Sequence, residues 1–134
     1  MRLLVFNLIL GLALIGLTGA CSTDGDDDGN TTLTVTATIE PDPPITGQNT
    51  LHIRVVDSEG AGVAGATVSV DPQMPMMGHG SPETAVVTDL GAGDYDAFPV
   101  TFSMPGHWEV TIDAAATEDS VTSTGEVMIP YDLP

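Results

Sequence analysis

From Leu33 onward, apolar residues recur at every second position over run after run, a spacing that leaves little room for anything but half-buried β-strands. Leu51, Ile53 and Val55 alternate with His52 and Arg54; Val68 and Val70 alternate with Ser69 and Asp71. Trp108, Val110 and Ile112 alternate with Glu109 and Thr111. Residues 34–39 are rich in β-branched side chains, 85–88 form a short apolar run, 95–102 form another that Pro99 interrupts, and 121–129 close the series. Gly, Pro, Asp and Asn separate these runs at intervals of roughly ten residues, the spacing of a two-sheet sandwich. No stretch carries a helical stripe. The pattern predicts an all-β chain with about seven antiparallel strands, arranged as an immunoglobulin-like sandwich. In that frame Trp108 is a core residue, His52 points outward, and Tyr95 bonds to nearby backbone.

The turns have their own chemistry. Asp57-Ser58-Glu59-Gly60 places Gly60 at a left-handed position. Met104-Pro105-Gly106-His107 suits a type II turn, with Pro fixing φ at the second position and Gly permitting a positive φ at the third. Gly91 and Gly93 allow a tight approach to the strand at Tyr95. Pro99, which has no N–H to give a ladder, marks its strand as an edge or a bulge.

The N-terminus reads as an export signal. Arg2 precedes an apolar stretch over residues 3–17, which ends in Leu17-Thr18-Gly19-Ala20-Cys21. A positive start, a short apolar run and small residues before a cleavage point define such a signal. The lone cysteine after them resembles the lipobox of bacterial lipoproteins, although Thr18 stands where Leu or Val is commoner. The expected division is a signal peptide over 1–20, a lipidated Cys21 followed by a flexible acidic tether to residue 32, and one folded domain over 33–134. Acyl chains of the palmitate kind on Cys21 would hold the protein on a membrane. The outer membrane facing the periplasm is expected for a two-membrane host, and the cell surface otherwise. Removing 20 of 134 residues leaves 114, enough for one small domain. With no second cysteine, its core alone must hold that domain together.

The tether contains Asp24-x-Asp26-x-Asp28-Gly29, the opening of an EF-hand loop. Such a loop needs a bidentate Glu at its twelfth position, where Val35 stands, so an EF-hand is rejected. All 19 acidic residues follow Cys21 and Arg54 is the one basic residue after it, so the mature charge is −18. Phosphate backbones are repelled by such a surface, which excludes nucleic acid as a partner. Soluble cations are attracted, and the charge also favours solubility.

One combination of residues points to chemistry. Successive loops of a sandwich alternate between its two poles, which places the loop 72–83 beside the turn 103–107. The first supplies Met74, Met76, Met77 and His79; the second supplies Met104 and His107. Four of the five methionines after the signal are therefore expected at one pole, with two of the three histidines. Thioether sulfur is soft and uncharged, holding Cu(I) well while discriminating against zinc, calcium and magnesium, and imidazole adds a ligand that also suits Cu(II). Copper, with Cu(I) favoured, is the expected ion. Methionine also fills irregular core gaps, and an apolar loop can dock on a partner protein, so a non-metal interaction module is the alternative.

Met76-Met77-Gly78-His79-Gly80, Gly93-Asp94-Tyr95 and the run Phe102-Ser103-Met104-Pro105-Gly106-His107-Trp108-Glu109-Val110 resemble the YtkA-like domain and the related FixH-like proteins. The resemblance spans about residues 33–130. It implies an exported or membrane-anchored β-sandwich, a link with copper handling and no enzymatic activity. Residues 53–60 and 65–68 are similar to the carboxypeptidase-regulatory type of sandwich, which implies the fold alone.

No enzyme is expected. The sequence has no lysine, no Gly-x-Ser-x-Gly elbow and no His-Glu-x-x-His pair. The expected partners are a membrane through lipid on Cys21, a copper ion, and a membrane transporter or oxidase-assembly protein.

Overall fold

A computed structural model describes residues 31–134. The expected signal peptide, the expected lipidation site Cys21 and residues 22–30 of the expected tether lie outside the described residues. Eight strands follow one another: β1 (Thr34–Glu40), β2 (Gly47–Val56), β3 (Thr67–Met74), β4 (His79–Gly80), β5 (Val86–Gly91), β6 (Asp94–Phe102), β7 (Gly106–Glu118) and β8 (Val121–Leu133). They form two four-stranded antiparallel sheets, ordered β1-β2-β6-β5 and β4-β3-β7-β8. That order is the immunoglobulin arrangement with one short strand added.

Period-two alternation builds the core as the sequence predicts. Leu51, Ile53 and Val55 from one sheet face Trp108, Val110 and Ile112 from the other, all essentially inaccessible to water. Tyr95, Val100 and Phe102 of β6 complete the packing. The Tyr95 hydroxyl donates to the Val63 carbonyl at 2.6 Å and accepts from the Ala66 N–H at 2.9 Å. A long connection between the sheets is thereby fixed by a single phenol.

Three details depart from the sequence reading. β4 is an eighth strand, two residues long and too short to show alternation. β3 runs on to Met74, so this methionine is a strand residue and not part of a loop. Pro99 lies in β6, which is a central strand, not an edge. The predicted bulge is nonetheless there: Leu51 pairs with Ala97 and Asn49 with Val100, so Phe98 and Pro99 together face Thr50. β5 begins at Val86, opposite Phe98, so no ladder partner awaits the missing N–H of Pro99.

The start of the described chain is docked at one end of the sandwich. Leu33 N–H donates to the Thr124 carbonyl at 2.9 Å, and Thr124 N–H donates to Thr31 at 3.3 Å. Gly125 makes this approach possible, because a Cβ there would collide with the Leu33 backbone.

On the outer face of the first sheet, His52 does more than sit exposed. Its Nδ1 lies 2.6 Å from Asp96 of β6 and its Nε2 lies 3.2 Å from Glu40 of β1, so one imidazole ties three strands together. Arg54 makes a parallel tie to Asp94 at 2.8 Å. The hydrogen bond to Asp96, then that to Glu40, raises the His52 pKa above 6.5.

Candidate metal centre at one pole

The hairpin joining β3 to β4 is set by its turn. The Met74 carbonyl accepts from the N–H groups of Met77 and Gly78, both at 3.0 Å, and Gly78 closes the turn at a φ of +67°, which favours glycine. Met74 and His79 are then directly paired across the hairpin. Met74 continues the inward phase of Val68 and Val70 and is 4% exposed. Met76 and Met77 form the tip, 86% and 59% exposed.

Trp108 is the centre of this pole. The His79 ring stands edge-on to the indole, with centroids 5.8 Å apart and planes at 70°. The indole Nε1–H donates to the Met104 carbonyl at 3.0 Å, which fixes the turn between β6 and β7. Phe102 packs on the same ring at 5.2 Å. The Met74 methyl lies 2.5 Å from where a Cβ on Gly106 would stand, so glycine at this place lets the buried thioether reach the turn. The 72–83 and 103–107 segments therefore meet at this pole: His79 and the Met104 carbonyl touch the indole, and the Met74 methyl lies against Gly106. The Met104 side chain is 37% exposed.

His107 does not join them, which corrects the sequence reading. It belongs to β7 and directly precedes Trp108, and neighbours along a strand point to opposite faces. His107 therefore lies on the outer face, where its Nδ1 donates to Asp132 at 2.7 Å and its Nε2 lies 3.8 Å from Glu109. The bond to Asp132 raises its pKa above 6.5. Among the described residues, no three of His, Cys, Asp and Glu are grouped to hold a metal ion. Any centre built here would have to use the methionine sulfurs.

The two outward histidines set a pH dependence. Each has a folded pKa raised above its unfolded value, so its contribution to stability is complete below the unfolded pKa. That contribution is lost as the pH rises through the folded pKa. The melting temperature should therefore be higher at about pH 6 than at about pH 8. The double variant His52→Asn, His107→Asn should narrow the difference, and an unchanged difference in calorimetry would refute the assignment.

Comparison with known proteins bears on this pole directly. Residues 27–113, well over half the chain, match the YtkA-like family. This chain belongs to the YtkA-like family. Neither curated proteins nor solved structures gave a match. The YtkA-like stretch runs from before β1 into β7, and it contains the Met74–His79 hairpin, the Met104 turn and Trp108. The match thus spans the segments that build the pole, whereas β8, with Asp132 of the His107 pair, falls outside it.

Proposed function

We propose that this protein binds Cu(I) at the Trp108 pole and acts, without catalysis, as an exported, lipid-anchored copper carrier or buffer. The observation that supports this reading is that His79 and the Met104 turn meet at the Trp108 indole while the Met74 methyl lies against Gly106, with Met76 and Met77 at the adjoining tip. These side chains offer thioethers and one imidazole but no thiolate or carboxylate. Such a donor set suits Cu(I) and disfavours hard cations. The surrounding negative charge raises the local concentration of any cation.

Chelator competition with Cu(I) tests the reading. His79→Ala should weaken binding by at least about tenfold, the scale on which even outer partners of a metal site act. His107→Ala, on the opposite face, should leave Cu(I) affinity within about twofold of wild type. Equal losses in the two variants would contradict the proposed centre.

The exposure of Met76 and Met77 supports a second reading, in which the apolar tip docks on a partner protein and no metal is involved. Anchoring is tested separately. Cys21→Ser should move the protein from the membrane fraction to the soluble fraction, and unchanged membrane association would disprove lipidation at that residue.

A further inference from the structure

We propose that Trp108 is the positioning residue of the pole, orienting the His79 ring and the Met104 turn of the copper site; this rests on the Cu(I) reading above. The residue is wholly buried, and its one N–H and an edge contact of its ring go to the candidate ligand segments. Its Nε1–H reaches the Met104 carbonyl at 3.0 Å, fixing the β6–β7 turn that carries one sulfur. The same ring meets His79 edge-on at 5.8 Å, so the imidazole of the β3–β4 hairpin is held at a defined angle. Met74, paired opposite His79, reaches past Gly106 in the turn that Trp108 secures.

These contacts come from segments that share no other side-chain hydrogen bond among the described residues. The hairpin is held by backbone bonds to the Met74 carbonyl and the turn by the indole, while the β3–β7 ladder, from Thr67 opposite Ala115 to Gln73 opposite Glu109, sets how the two strands pair. A metal site whose donors come from separate segments depends on whatever fixes their relative orientation. Phe102, tilted at 48° with its centroid 5.2 Å away, supports the ring but offers no polar group. Trp108 thus braces the His79 ring by an edge contact and the Met104 turn by a hydrogen bond. It acts on the donors and not on the ion.

The full mature chain carries a single tryptophan, so the residue also reports on its own surroundings. Cu(I) is titrated under anaerobic, reducing conditions while emission is followed, and occupancy is measured independently with a competing chelator. Wild type should show an emission change that ends at saturation. Trp108→Phe keeps an aromatic ring but loses the N–H donor, and it should bind Cu(I) at least about tenfold more weakly. Val55→Ala truncates the core at the opposite end and controls for stability; it should stay within about twofold of wild type. If Trp108→Phe does not fold, the wild-type titration decides, since emission unchanged at full occupancy overturns the proposal. Tight binding by a folded Trp108→Phe variant overturns it as well. Failure of wild type to bind Cu(I) refutes instead the copper reading on which the proposal rests.

Discussion

Changing Met76, Met77 and Met104 together to leucine should abolish measurable Cu(I) binding, while the thermal melt stays close to that of wild type. All three side chains are partly or largely exposed, so little packing depends on their shape. Leucine is near methionine in volume, and even in a core such exchanges usually cost less than about 1.5 kcal/mol. What disappears is the sulfur lone pairs. Met74 and His79 would remain, a two-donor remnant too small to compete with a chelator. The variant also separates the two functional readings, because a hydrophobic docking tip would keep most of its partner affinity with leucine in place. Chelator competition at matched protein concentration gives the result, and wild-type affinity in the triple variant would identify these methionines as packing residues.

Asn49→Leu should have the largest effect on stability, a loss of about 3 kcal/mol, because several buried backbone groups lose their partner at once. Asn49 is buried at the start of β2. Its Oδ1 accepts from the Ile45 N–H at 3.0 Å, and its Nδ2 donates to the carbonyls of Ile45, Gly47 and Val100 at 2.9, 3.0 and 3.3 Å. One amide thereby closes the β1–β2 connection and ties it to β6 beside the Pro99 bulge. Each buried group left without a partner costs about 1–3 kcal/mol. For a domain of this size the melting temperature should fall by roughly 10–20 °C. A drop of under about 1 kcal/mol in urea unfolding would mean that water takes over these bonds.

The core was legible because one chemical rule repeats. Trp108, Val110 and Ile112 share a phase, as do Leu51, Ile53 and Val55, and each set is buried as that phase requires. The same rule already contained the correction at His107: a residue next to an inward tryptophan on one strand must point outward. Assigning it to the turn hid this. Met74 was likewise in phase with Val68 and Val70, but the prolines at 72 and 75 made the segment look like a loop. The hydrogen bonds of His52 and Asn49 were beyond reach for another reason. The bonds of His52 to Asp96 and Asn49 to Val100 are set by register between strands, 44 and 51 residues apart, and those of Asn49 to Ile45 and Gly47 by the shape of a connection, neither of which local periodicity encodes. The meeting of the hairpin and the turn was legible from topology, since loops on one end of a sandwich are neighbours. The indole as their common support was not, because it depends on side-chain orientation.

The docking of Leu33 against Thr124 gives the domain a direction. Thr124 pairs with Ala115 far along β7, while the methionine pole begins at Gly106 on the same strand. Nine residues of extended strand separate the two, roughly 30 Å at 3.3 Å per residue. The chain therefore arrives at one end of the sandwich and presents Met74, Met76, Met77 and Met104 at the other. A protein held by its N-terminal segment would point its thioethers away from the surface that holds it, like a lamp on a short post. With the anchoring and Cu(I) binding proposed above, this end would be open to carriers arriving through the surrounding fluid or to proteins reaching across from a facing membrane.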